Sequence, residues 1–349
     1  MTLREKVGQL LMVGFRGLEA GPRSPVIHDI RSGCVGGVVL FDHDVLLGSD
    51  RRNIRSPLQV RRLIHTLQEA ATVPLLVAVD QEGGKVARLK KKHGFPGTVS
   101  AQFLGKNDDP DLTRRCAAAT AAVLAKAGFN LNFAPLVDLN LNPANPVIGR
   151  FERSYSADAA VVVRHALAVI EAQGEHGIIS CLKHFPGHGS SRQDSHLGFT
   201  DVSETWKPAE LEPYRRLIAA GMADTVMTAH VFNRHLDPEF PATLSAAIIG
   251  GLLRRELGFA GVVISDDLDM KAISAGYDRE TALQLALNAG NDILLIANNL
   301  RYQRHAAVRI CDAVLGLVAS GRVSKARIDE ACGRILELKA KMTVPPPGT

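Results

Sequence analysis

Apolar positions fall in short runs rich in β-branched residues, and between those runs lie longer stretches in which apolar residues recur at helical spacing. That alternation predicts βα units around a parallel sheet. Eight candidate strands can be counted, at Leu10 to Phe15, Gly36 to Phe41, Leu75 to Asp80, Asn130 to Pro135, Ile178 to His184, Thr225 to His230, Val262 to Asp266 and Asp292 to Ala297. The expected helices are Pro57 to Ala71, Pro110 to Ala127, Ala157 to Gln173, Pro208 to Ala220, Ser245 to Leu257 and Glu280 to Ala289, with two more, Arg301 to Ser320 and Ser324 to Lys341, closing the chain. Asp109 before Pro110 suits an N-cap and first helical position, and Gly128, Gly174, Gly221, Gly258 and Gly290 suit C-terminal caps. Eight strands favour a closed barrel over a doubly wound sheet, so the fold class expected is α/β, a single (β/α)8 TIM-type barrel over residues 1 to 342. Residues 343 to 349, with Pro345, Pro346 and Pro347, read as a disordered tail.

Composition narrows the function classes. At 349 residues and 46% hydrophobic, the chain suits one barrel with one large core. The net charge of +5 permits an anionic partner, but the cations are scattered. Aromatic residues make up only 5%, with no interleaving of basic and aromatic positions, which argues against a nucleic-acid platform. Five cysteines, odd in number and without a C-x-x-C pair, suggest neither a disulfide framework nor a zinc site. No basic run followed by an apolar segment marks a leader, and no apolar run approaches the roughly 18 residues that span a bilayer. The expectation is a cytoplasmic monomer with no nucleic acid or membrane partner.

Polar residues gather at the ends of the apolar runs. Asp80, Lys183, His184, His230 and Asp266 each stand at the carboxyl end of an expected strand, the rim that carries chemistry in (β/α)8 enzymes. Val262 to Ser265 leads into Asp266, Asp267 and Asp269; a carboxylate there is costly unless paired, so Asp266 reads as functional, whereas Asp267 and Asp269 are equally readable as helix caps. Lys183-His184-Phe185-Pro186-Gly187-His188-Gly189 leaves another strand as an irregular loop and reaches Asp194 and His196, two residues apart. Such a pair lets a carboxylate hold an imidazole in one tautomer and raise its basicity. A metal bound by His184, His188, His196 and Asp194 is the rival reading, but the spacing matches no established ligand pattern. Asp80-Gln81-Glu82-Gly83-Gly84-Lys85-Val86-Ala87-Arg88 offers a carboxylate for sugar hydroxyls and a guanidinium for planar recognition, without the spacing of a phosphate loop.

Together these segments resemble glycoside hydrolase family 3, in particular its single-domain β-N-acetylglucosaminidases, from Gly8-Gln9-Leu10-Leu11-Met12-Val13-Gly14 to Asn288-Ala289-Gly290-Asn291-Asp292. The K-H-F-P-G-H-G-x4-D-x-H pattern at Lys183 to His196 is intact. The resemblance implies a retaining exo-β-N-acetylglucosaminidase with Asp266 as nucleophile and His196 as proton donor, oriented by Asp194. It implies sugar contacts from Asp80, Arg88, Arg153, Lys183, His184 and His230, no metal or other cofactor, and a small saccharide, from peptidoglycan or chitin fragments, as substrate. Three departures touch outer contacts. Lys85 stands where the family has Arg, an Arg-Asn pair comes late at Arg52-Asn53, and Arg150 competes with Arg153 for the sugar. The rival readings are a β-glucosidase, β-xylosidase or phosphorylase of the same family, and a sugar-binding protein with an inactive barrel.

Overall fold

A computed structural model describes residues 1–194 and 198–342. All eight expected strands form, as β1 (Leu11–Gly14), β2 (Gly37–Val39), β3 (Leu76–Val79), β4 (Leu131–Asn132), β5 (Ile179–Phe185), β6 (Thr225–Thr228), β7 (Val262–Ser265) and β8 (Leu294–Ile296). Each pairs in parallel with its neighbour in sequence, and β8 pairs with β1. A parallel bridge from Ile264 to Ile293 joins β7 to β8 and closes the ring. The strands read as near-continuous apolar runs because both faces are buried, one by the barrel interior and one by the helices.

Local chemistry sets the helix ends. The helix Pro110–Ala127 starts where the Asp109 carboxylate accepts from the Leu112 N–H at 3.0 Å and stops at Gly128 in the left-handed region (φ 97°). It packs against Ala159–Glu175. Gly174 does not cap that second helix, which runs on to Glu175 and turns instead at Gly177 (φ 69°). The expected helix from Ser245 to Leu257 is wound wider, as a π-helix over Ala247–Glu256, and the Leu257 N–H reaches back five residues to the Leu252 carbonyl at 2.9 Å. Two seven-residue helices, Leu3–Gln9 and Pro25–Arg31, were too short to show a period in the sequence. Among the described residues no helix is long and apolar enough to cross a membrane.

Packing is close where β1 meets β8. A Cβ added to Gly14, at the end of β1, would stand 1.9 Å from the Ala297 carbonyl oxygen, just beyond β8. Gly14→Ala is therefore expected to lower stability by about 1–3 kcal/mol, whereas Gly316→Ala, on a helix with nothing within 4 Å, should raise it by roughly 0.5–1 kcal/mol. Urea denaturation of both variants checks the contrast; equal effects would mean that the β1–β8 seam has room to relax.

Candidate active site

A cavity of about 440 Å³ opens at the carboxyl ends of the strands, and Asp80, Arg88, Arg153, Lys183, His184, Asp194 and Asp266 all line it. Segments from four parts of the chain thus deliver ionisable groups to one place. Asp80 follows β3 directly. The chain then doubles back through a short antiparallel hairpin, Gln81–Gly83 with Val86–Ala87, whose turn uses Gly83 and Gly84 at positive φ. The Gln81 side-chain oxygen accepts from the Arg88 and Leu89 N–H groups, both at 2.9 Å, and the Asn132 side chain of β4 exchanges two hydrogen bonds with the Gln81 backbone at 3.0 and 3.1 Å. This clasp returns Arg88 to within 3.2 Å of the Asp80 carboxylate.

The centre of the floor is the Lys183 ammonium on β5. Its Nζ lies 2.9 Å from Asp80 Oδ1 and 2.6 Å from Glu82 Oε1. Arg153 grips Glu82 with two hydrogen bonds, Nε to Oε2 at 2.8 Å and Nη2 to Oε1 at 2.7 Å, and also donates to the Val147 carbonyl at 3.1 Å. Burial alone would raise the Glu82 carboxyl, but Arg153 and Lys183 outweigh it and hold the group down at about 2. Asp80 is likewise held below the usual carboxylate range, because Lys183 and Arg88 outweigh its burial.

His184 is fixed from behind. Its Nδ1 sits 2.7 Å from the buried Asp138 carboxylate, and its Nε2 faces Arg153 Nη2 at 3.3 Å. Asp138 also accepts the backbone N–H of His184 and of His188, at 3.2 and 2.8 Å, so one acid pins the start of the loop that follows β5. Burial lowers the His188 imidazole to about 4. Glu210 accepts from the Gly189 N–H at 3.0 Å, the Asn145 amide donates to the His188 carbonyl at 2.7 Å, and Trp206 donates to the Pro186 carbonyl at 3.0 Å. The loop therefore leaves a rigid root and brings Asp194 to the cavity. His196 lies outside the described residues.

Asp266 is the first residue beyond β7, and its Oδ1 accepts the Asp267 N–H at 2.8 Å. The Asp267 carboxyl is buried and is raised to about 7 by that burial and by neighbouring Asp269. It accepts from the Ala297 and Asp269 N–H groups at 2.9 and 3.1 Å. His230 is not among the cavity-lining residues; its Nε2 reaches the Asp267 carbonyl at 2.9 Å and its Nδ1 the Thr243 hydroxyl at 2.8 Å. Arg150 is exposed and offers its carbonyl to Lys85, whereas Arg153 is the one of the two that lines the cavity.

The late Arg52-Asn53 pair has a simple geometry. Backbone bonds from the Asn53 N–H to the Phe41 carbonyl (2.9 Å) and from the Arg52 N–H to the Asp42 carbonyl (3.4 Å) pinch off residues 43–51 as a side loop. Its members His43 and Val45 edge the cavity, while Leu46 and Leu47 are exposed. Buried Arg52 holds the stretch after β8 through the Ala297 and Asn298 carbonyls at 3.2 and 2.7 Å. A second cavity, about 210 Å³, lies across Glu82 and Arg153 among Leu89, Phe95, Leu104 and Val123. Its charged lining residues, Glu82 and Arg153, are paired with each other, whereas the larger cavity gathers several acids and bases, so the chemistry belongs to the larger one.

The model of the glycosyl hydrolase family 3 N-terminal domain matches residues 2–338. The chain belongs to glycosyl hydrolase family 3. It is 38% identical over 315 residues to a β-hexosaminidase of Tolumonas auensis, covering 89% of this chain and 88% of that one. The solved structure of a family 3 β-N-acetylglucosaminidase from Paenibacillus sp. str. FPU-7 superposes with a TM-score of 0.88 at 40% identity; the match covers all of this chain and 66% of that one. A β-N-acetylhexosaminidase from Beutenbergia cavernae gives 0.87 at 31% identity, over 97% of this chain and 99% of its own.

The ionic floor makes a prediction about stability. A carboxyl held below its ordinary 4.5 contributes stability that is complete above that pH and is lost as pH falls towards about 2. At neutral pH, Glu82→Gln leaves Arg153 and Lys183 short of a partner and is expected to cost about 3–5 kcal/mol. The difference from the parent protein should shrink as pH falls from 4.5 to about 2, where the parent's Glu82 protonates as well. Denaturant titrations at several pH values test this; a gap independent of pH would mean that Glu82 is not a charged partner.

Proposed function

We propose that the chain is a retaining exo-β-N-acetylhexosaminidase that removes a terminal β-linked N-acetylglucosamine from cell-wall or chitin fragments. The observation that carries the reading is that Asp266, beyond β7, and Asp194, on the loop after β5, face one cavity whose floor is the fixed lattice of Asp80, Arg88, Arg153 and Lys183. Kinship with β-hexosaminidases along nearly the whole chain supports it.

In the first step the Asp266 carboxylate attacks the anomeric carbon as the bond to the aglycone oxygen breaks, and His196 gives that oxygen its proton. In the second, His196 takes a proton from water, and the water oxygen displaces Asp266. Two inversions give retention. Asp194 orients the imidazole. A histidine suits both halves because its ordinary pKa is already near neutral. Asp80 accepts from sugar hydroxyls, Arg88, Arg153, Lys183 and His184 donate to them, and His230 acts at one remove by holding the Asp267 backbone beside the nucleophile.

Turnover of chromogenic β-GlcNAc, β-glucoside and β-GalNAc substrates tests the glycone, with the first hydrolysed fastest. Asp266→Asn should lose on the order of three or more decades in kcat with the fold intact, and Asp267→Asn less. Reversal of that order would move the nucleophile by one residue. His196→Ala should slow natural saccharides severely but nitrophenyl glycosides much less, because a good leaving group needs little acid. Equal losses across leaving groups would sink His196 as the acid.

A further inference from the structure

On the flank of the barrel, His28, Asp29 and His305 bring a carboxylate and two imidazoles together, each offering a ligand atom within 4.8 Å of the others. His28 and Asp29 lie on the helix Pro25–Arg31, and His305 ends the stretch that follows β8. Both Nδ1 atoms face the same carboxylate oxygen, Asp29 Oδ1, at 2.8 Å from His305 and 3.4 Å from His28. Bonds of about 2.0–2.1 Å to a tetrahedral Zn²⁺ would set ligand atoms roughly 3.3–3.4 Å apart, within the span observed.

A hydrogen-bonded cluster alone explains this arrangement poorly. The contact to His28 is too long to be a good hydrogen bond, and that side chain is 64% exposed, so it gains little by leaning on the acid. The two imidazole rings meet edge to face with centroids 4.9 Å apart, a geometry open to neutral rings that leaves a nitrogen of each beside the same acid. His305 also sits in the left-handed region (φ 56°, ψ 42°), an uncommon conformation for a residue with a side chain. That conformation turns its ring towards Asp29 at the very start of the following helix. The acid is itself immobilised, since its own carbonyl accepts from Ser32 Oγ at 2.8 Å and from the Cys34 N–H at 3.2 Å.

The geometry points to a surface site for a zinc-class divalent cation, with His28, Asp29 and His305 as ligands and water completing the tetrahedron. The site lies at the far end of a segment whose near end serves the cavity. Asn299 and Leu300 line the cavity, and the Asn298 side chain ties that corner to Gln303 through bonds of 2.7 and 3.0 Å. A cation at His305 would staple this segment to the helix after β1. The site neither uses the proposed catalytic residues nor depends on them.

Tag-free protein stripped with chelator and titrated calorimetrically with ZnCl₂, in parallel with Co²⁺ and visible absorption, tests the site. The parent protein is expected to bind one equivalent that Asp194→Asn retains, with the intense d–d bands of tetrahedral Co²⁺ and a higher thermal midpoint. His28→Ala and His305→Ala should each weaken that equivalent by more than the roughly 10- to 100-fold seen when an outer partner is lost. Exposure of His28 makes failure to fold an unconvincing explanation for its variant. The site is refuted if the parent binds no Zn²⁺, or if the His28 and His305 variants bind it as the parent does, whatever the behaviour of Asp194→Asn.

Discussion

The buried ammonium of Lys183 is the interaction on which the barrel mouth depends. An unpaired charge there would cost several kcal/mol, so its position is tolerable only because Asp80 and Glu82 arrive from β3 and the hairpin after it, across the intervening β4. Arg153 extends the lattice to the long loop between β4 and the next helix, and Arg88 closes it on Asp80. Apart from the local Arg88–Asp80 contact, these charges are satisfied by residues distant in sequence, so the lattice forms only when the strands are in register. The positions are energetically coupled for the same reason, and the effects of substituting Glu82 and Arg153, which share two hydrogen bonds, cannot be additive.

The barrel and most of its polar rim were legible because β-branched runs ending in a charged residue are hard to explain otherwise. Asp80, Lys183 and Asp266 follow that rule, and the structure brings all three to one cavity. Asp138 obeys it too, after the apolar run Leu131 to Val137 interrupted by Asn132 and Pro135, and could have been found by the same logic. Glu82 was visible inside a noted motif, but its pairing with Lys183 was not, because that contact spans about a hundred residues and depends on the hairpin turning back. Glu210 left no signal at all: its partners are backbone N–H groups, which look the same in every sequence. The place of His230 beyond β6 was legible, whereas its contacts with the Thr243 hydroxyl and the Asp267 carbonyl follow from the path of the chain after the strand.

Charge pairs and backbone clasps fix the ionisable groups of the cavity floor. Beside them the loop after β5 is held at its root by Asp138, Asn145, Glu210 and Trp206, so the floor and the loop root are pinned by separate sets of partners.

The side loop at residues 43–51 has a consequence for diversification. Because the Phe41–Asn53 and Asp42–Arg52 backbone bonds and the ion pairs of buried Asp44 with Arg16 and Arg52 fix its base, the strand behind it does not sense how many residues form the tip from Val45 to Gly48. Doubling such a tip costs only about 0.6 kcal/mol in closure entropy. The barrel thus carries, at the edge of its pocket, a short tip that a lineage or an engineer can lengthen or replace without remaking the scaffold.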